Sequence, residues 1–94
     1  MKRLTFSWDE EKNEGNKKKH GVSFEEAQTV FYDENAVEFF DESHAEQEER
    51  FLMLGLSANF RMLLVSYCYR EKESVIRIIS ARKATRTEQK EYGR

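Results

Sequence analysis

The chain contains no proline, one cysteine and four isolated glycines. No linker, repeat or low-complexity segment interrupts it, so a single domain over residues 1–94 is expected. One cysteine excludes an internal disulfide. Cys68 falls in an expected strand and reads as a small buried apolar side chain, with the reducing cytoplasm as the default compartment. Isolated glycines exclude the glycine-rich loops that cradle nucleotide phosphates. No apolar run approaches the ~20 residues that span a membrane. The opening MKRLTFSWDE lacks the apolar stretch of a signal peptide. No Cys-x-x-Cys or His-x-x-x-His spacing occurs, so neither a metal nor a cofactor is expected. Asp41, His44 and Glu48 share a polar loop that reads as hydrated acidic surface. Two histidines without a nucleophile elbow do not support a Ser-His-Asp triad.

The hydrophobic fraction is only 38%, but seven Phe and four Tyr supply core area. A chain of this size buries roughly two-thirds of its unfolded surface, enough for one modest core. Net charge is −2, which argues against nonspecific nucleic-acid binding. The distribution is uneven. Eight acidic residues and no Lys or Arg lie between Asp33 and Glu49. Six cations against two acids lie between Arg77 and Arg94, and four Lys against one Glu lie between Lys12 and His20. Two basic segments would form one patch if folding joined them.

Leu4 and Phe6 alternate with Thr5 and Ser7 as a short strand. Asp9 is a good N-cap for a helix over residues 10–20, and Gly21 a good stop. That helix lacks Val, Ile, Leu, Met and Phe altogether, with Gly15 at its centre. Lys12, Asn16, Lys19 and His20 fall on one face of it, where an apolar stripe normally packs. It reads either as a frayed, solvent-exposed segment or as a helix with a special polar face. Ser23 and Glu26 suggest a capping box for a second helix, whose stripe is Phe24, Ala27, Val30 and Phe31. Strands follow at 36–41, 49–57, 61–70 and 74–82, with a polar loop at 42–48. Connections this short imply an antiparallel meander. A short helix over 86–92 closes the chain, capped by Thr85 and Glu88. The expected fold is α+β in the order β-α-α-β-β-β-β-α. Helices mainly on one face would leave part of the other open for binding.

The stretch RIISARKATRTE from Arg77 to Glu88 runs from a β-branched strand into a helix cap and carries Arg82, Lys83 and Arg86 close together. It reads either as a solvated basic turn or as a phosphate clamp. Phosphodiester chemistry without a metal suits this inventory, because RNA supplies its own 2′-OH nucleophile. An enzyme must remove that proton, donate one to the leaving 5′ oxygen and stabilise charge on phosphorus. His20 is the natural proton carrier, or else only a cation at a helix C-terminus. Arg77, Arg82, Lys83 and Arg86 are the candidate phosphate ligands. Trp8 and Tyr92 are candidate platforms for unpaired bases, although a Trp is as readily a core residue.

Phe6-Ser-Trp8-Asp9 followed by Lys12, Asn16 and Lys19-His20-Gly21, then Phe24-Glu25-Glu26-Ala27, Glu49-Arg50-Phe51, Gly55-x-Ser57 and the stretch Arg77 to Glu88 form a set of motifs. Together they resemble the signature of the BrnT toxins. The resemblance covers nearly the whole chain. It implies a bacterial type II toxin, a ribonuclease of RelE-like fold that inhibits translation. It also implies a BrnA-like ribbon-helix-helix antitoxin as partner, with operator DNA contacted only through that antitoxin. Among the motif positions, Lys12, Lys19, His20, Arg77, Arg82 and Lys83 are the expected catalytic set. Trp8 and Asn16, with Arg86 and Tyr92, are the expected RNA contacts. Two competing expectations remain: a non-catalytic binding module whose acidic segment Asp33–Glu49 docks a basic antitoxin arm, and a DNA-binding regulator.

Overall fold

The computed structural model describes residues 4–44 and 48–94, the His44 side chain excepted. Residues 45–47 of the expected polar loop lie outside the described residues. The elements are β1 (Thr5–Ser7), α1 (Glu10–His20), α2 (Phe24–Thr29), β2 (Val37–Asp41), β3 (Arg50–Leu56), β4 (Met62–Arg70), β5 (Val75–Lys83) and α3 (Arg86–Gln89). Single 3₁₀ turns occupy Val30–Tyr32 and Glu42–His44. No described helix is long and apolar enough to cross a membrane.

The caps form as their residue types dictate. Asp9 accepts from the N–H groups of Glu11 and Lys12, and Gly21 closes α1 in the left-handed conformation at φ +70°. Ser23 accepts from Glu26 N–H, but the Glu26 carboxylate turns elsewhere, so only half of the expected capping box exists. Thr85 and Glu88 form the full reciprocal box. α3 stops at Gln89, short of the expected Tyr92.

The five strands form one sheet in the order β1-β5-β4-β3-β2. β2 to β5 are the expected antiparallel meander. β1 corrects the purely antiparallel expectation: it runs parallel to β5, Thr5 opposite Val75 and Ser7 opposite Arg77, which makes the sheet mixed. The rest of the chain between them serves as the long crossover that a parallel pair needs.

One face of the sheet carries Leu63, Val65, Tyr67, Ile76, Ile78 and Ala81, packed under Val22, Phe24, Ala27 and Val30 from α2 and its flanks. The other carries a smaller cluster, Leu54, Leu64 and Ala84, with Phe39, Leu52, Met62 and Tyr92. α3 and the segment after it thus cover one end of the second face. Among the described residues, the remainder of that face stays open.

α1 packs through amides instead of an apolar stripe. Its buried residues are Asn13 and Asn16; Lys12 and Lys19 are exposed. The Asn13 side chain accepts from Phe24 N–H at 2.8 Å and donates to Glu10 and Glu25, each at 2.9 Å. Asn16 donates to the carbonyls of Val22 and Ala81, both at 2.8 Å, and accepts from Ala81 N–H at 3.2 Å. β1 ends opposite Arg77, so beyond it the Asn16 carboxamide does for β5 what a neighbouring peptide would. This is why a helix without large aliphatic residues holds its place: it satisfies edge groups that burial would leave unpaired.

A second polar anchor fixes the elbow between α1 and α2. Glu26 is 8% exposed. Arg61 donates to it through Nε at 2.9 Å and through Nη2, and Ser57 donates at 2.6 Å. Arg61 Nη2 also donates to Gly21 O at 3.0 Å, directly after His20. Arg61 foremost, with Ser57, holds the Glu26 carboxyl at about 2 against the opposing effect of burial.

Candidate active site

The open part of the second sheet face forms a cleft of about 430 Å³. It is lined by His20, Asp41, Ser43, Leu52, Leu64, Ser66, Ser80, Ala81, Arg82 and Glu88. Its walls come from distant parts of the chain. α1 lies along the β5 edge through Asn16, so its last residue, half-buried His20, reaches the cleft rim. β5 contributes Ser80 and Arg82, β4 contributes Ser66, and α3 contributes Glu88. The two basic segments do converge, through His20 and Arg82.

A bulge in β5 sets which residues face the cleft. Ser66 pairs with Ser80 but Tyr67 pairs with Ile78, leaving Ile79 as an extra residue. Arg77 stands opposite Cys68 and Arg82 opposite Leu64, and Leu64, Ser66 and Cys68 alternate onto the same face of β4. Arg77 and Arg82 are five residues apart and would face opposite ways in a regular strand. The bulge gives them one face. Arg77 nevertheless is not among the lining residues.

Arg82 is engaged already. Its Nη1 and Nη2 each donate to one Glu88 carboxylate oxygen at 2.8 Å. Nη1 also donates to Lys83 O at 3.2 Å. Thr85 N–H donates to the same carboxylate at 2.8 Å. Arg82 foremost, with Thr85, holds the Glu88 carboxyl at about 2 against burial, so Glu88 is ionised at neutral pH. On the opposite wall, Ser43 N–H and Oγ donate to Asp41 Oδ1 at 3.2 and 2.6 Å. The cleft therefore presents an imidazole, a guanidinium–carboxylate pair, a second carboxylate and serine hydroxyls above an apolar floor.

The other expected site residues lie elsewhere. Lys83 stands opposite Leu63, on the face away from Arg82, because successive strand residues alternate. Lys12, Lys19 and Arg86 are exposed and outside the cleft lining. Three expected RNA contacts have structural work. Asn16 is buried, with its carboxamide committed to backbone groups. Trp8 packs its ring edge-on to Phe24, centroids 6.1 Å apart, and donates to Glu10 at 3.1 Å. Tyr92 joins the second cluster and donates its hydroxyl to Asp33 at 2.6 Å. Glu88, absent from the expected catalytic set, sits at the centre of the site. Its spacing from Arg82 across a strand–helix junction has no helical or strand periodicity to announce it.

Comparison with known proteins agrees with this architecture. Residues 8–88 match the family described as the ribonuclease toxin BrnT of type II toxin–antitoxin systems. The crystal structure of the Brucella abortus ribonuclease toxin BrnT superposes with a TM-score of 0.68 at 21% sequence identity. The match covers 89% of this chain and 100% of that one. At that identity the likeness shows a shared fold. No curated protein matches the chain in sequence. The family match spans both polar helix and basic strand end, and the chain belongs to the BrnT family of type II toxin–antitoxin ribonuclease toxins.

Proposed function

We propose that this protein is a metal-independent endoribonuclease whose reaction centre is the cleft between α1, β5 and α3. The observation that carries the reading is the convergence of His20 and Arg82 on one cleft beside the Glu88 carboxylate. Arg82 receives the scissile phosphate through N–H donors that now bond Glu88. As phosphate replaces those bonds, the Glu88 carboxyl loses what depresses it and becomes a stronger base. Glu88 then takes the 2′-OH proton while the 2′ oxygen attacks phosphorus. Protonated His20 gives a proton to the departing 5′ oxygen, leaving a 2′,3′-cyclic phosphate and a 5′-OH. Ser66 and Ser80 offer hydroxyl donors to the phosphoryl oxygens. Lys12, Lys19, Arg77, Lys83 and Arg86 supply long-range attraction for the RNA strand.

In this reading the protein acts in the cytoplasm, has a RelE-like fold and arrests translation. A BrnA-like ribbon-helix-helix antitoxin neutralises it and carries the pair to operator DNA. The acidic segment Asp33–Glu49 suits a basic antitoxin arm. The test is incubation of purified protein with RNA in EDTA. Cleavage to cyclic phosphate ends is expected, with loss in His20→Ala and strong slowing in Glu88→Gln; cleavage unaffected by both changes would refute the mechanism.

One observation favours a second reading. The bidentate bond to Glu88 occupies Arg82, as it would in a non-catalytic module serving operon autoregulation. Such a module would leave RNA intact yet still bind its antitoxin.

A further inference from the structure

An apolar pocket of about 220 Å³ adjoins the cleft, lined by Phe39, Leu52, Leu54, Leu64, Glu88 and Glu91. It shares Leu52, Leu64 and Glu88 with the cleft, so a group seated in it lies beside whatever Arg82 holds. We propose that this pocket is a nucleobase subsite that takes guanine next to the scissile phosphate. The proposal rests on the ribonuclease reading and adds to it the base that the enzyme selects.

The floor suits a base. Phe39 on β2 is paired with Leu52 on β3, and both are half-buried, so each keeps an open surface toward the pocket. Single-stranded RNA offers unstacked bases, whose faces are apolar and sequence-tolerant. Stacking alone would hold any base, and selection must come from the polar rim. Both Glu88 oxygens are bonded to Arg82, one of them also to Thr85 N–H. Glu91 is exposed at the rim, with no side-chain hydrogen bond among the described residues. A carboxylate only accepts hydrogen bonds. Guanine alone among the RNA bases offers two adjacent N–H groups, N1–H and N2–H, that match its two oxygens. Adenine and cytosine set one amino donor beside a ring nitrogen whose lone pair the carboxylate repels. Uracil sets one N–H between two carbonyl oxygens.

The test is titration of the full-length protein with guanosine 3′-monophosphate and with its adenosine, cytidine and uridine counterparts, followed by NMR of the Phe39 ring and the Leu52 and Leu64 methyls. The guanosine nucleotide should shift these signals and bind about tenfold more tightly than the others, the ~1.4 kcal/mol that one good bidentate pair provides. Glu91→Gln, an exposed substitution that leaves packing intact, should erase that preference while weaker binding persists. Equal affinities for all four nucleotides, shifts confined to other residues, or an unchanged preference in Glu91→Gln would overturn the subsite. The titration needs no turnover. Guanosine selectivity without RNA cleavage would sink the ribonuclease reading and spare the subsite, and cleavage without base preference would do the reverse.

Discussion

The bond between Glu26 and Arg61 makes a quantitative prediction. The Glu26 side chain is 7% exposed and that of Arg61 30%. Glu26 titrates at about 2 instead of near 4.5. At ~1.36 kcal/mol per pH unit, that depression amounts to about 3 kcal/mol of folding free energy. Replacing Arg61 by Ala leaves a buried carboxylate that keeps only neutral side-chain donors, Ser57 and Asn59. Breaking a fully buried pair in this way costs about 3–5 kcal/mol, and partial exposure of Arg61 lowers the expectation to about 2–4 kcal/mol. In a domain of this size the melting temperature should fall by roughly 10–20 °C. The pH dependence tests the cause. A depressed carboxyl stabilises fully above its unfolded value and loses that contribution as pH drops toward its folded value. Urea titrations of wild type and Glu26→Gln should therefore show the widest gap near neutrality, closing between pH 4.5 and about 2. A gap that stays constant with pH, or an Arg61→Ala variant within about 0.5 kcal/mol of wild type, would refute the reasoning.

Asn16→Ala should cost about 2–4 kcal/mol, since it strands the edge groups of Ala81, and hydrogen exchange at the Ala81 amide should accelerate. Gly55→Ala sets a methyl 2.7 Å from Val30 Cγ1 and 3.0 Å from Ala36 Cβ, which should destabilise by about 1–3 kcal/mol; in a double-mutant cycle, Val30→Ala should recover part of that loss. Arg82→Ala should abolish growth inhibition by the folded protein, whereas Lys83→Ala, on the other sheet face, should retain most of it. Equal loss in the two variants would mean that the cleft is not the reaction centre.

Local chemistry made much of the fold legible. Asp9, Gly21, Ser23 and Thr85 mark helix ends through bonds to near neighbours, and the meander follows from short connections. The parallel β1–β5 pairing was hidden because it joins segments some seventy residues apart, and three residues carry no periodicity that names a partner. α1 was legible in its bounds and in the place of Asn16 on its packing face, but not in that of Asn13. Hydrophobic pattern reading looks for aliphatic stripes, whereas this helix is anchored by Asn13 and Asn16, three apart. The motif Gly55-x-Ser57 marked two packing points, a glycine under Val30 and a hydroxyl on Glu26. Trp8 and Tyr92 were ambiguous in sequence because each pairs an apolar ring with a polar tip, and the structure uses both parts. For the candidate site, convergence of His20 with Arg82 was foreseeable as a requirement of the chemistry. The Glu88 contribution was not, because its helix-capping role already accounted for it.

The extra residue at Ile79 gives β5 a tolerance of length at one point only. Side chains of a strand obey parity, and the bulge steps outside that alternation once. Deleting Ile79 would restore a regular ladder in which Arg77, Ser80 and Arg82 keep the cleft face and Ile78 and Ala81 keep the core. Deleting one residue on either side of a bulge that persists would instead turn Arg77 or Arg82 toward the aliphatic core. Within relatives of this protein, β5 should therefore occur with or without the bulge residue, and a change of one residue elsewhere between the two arginines should be rare.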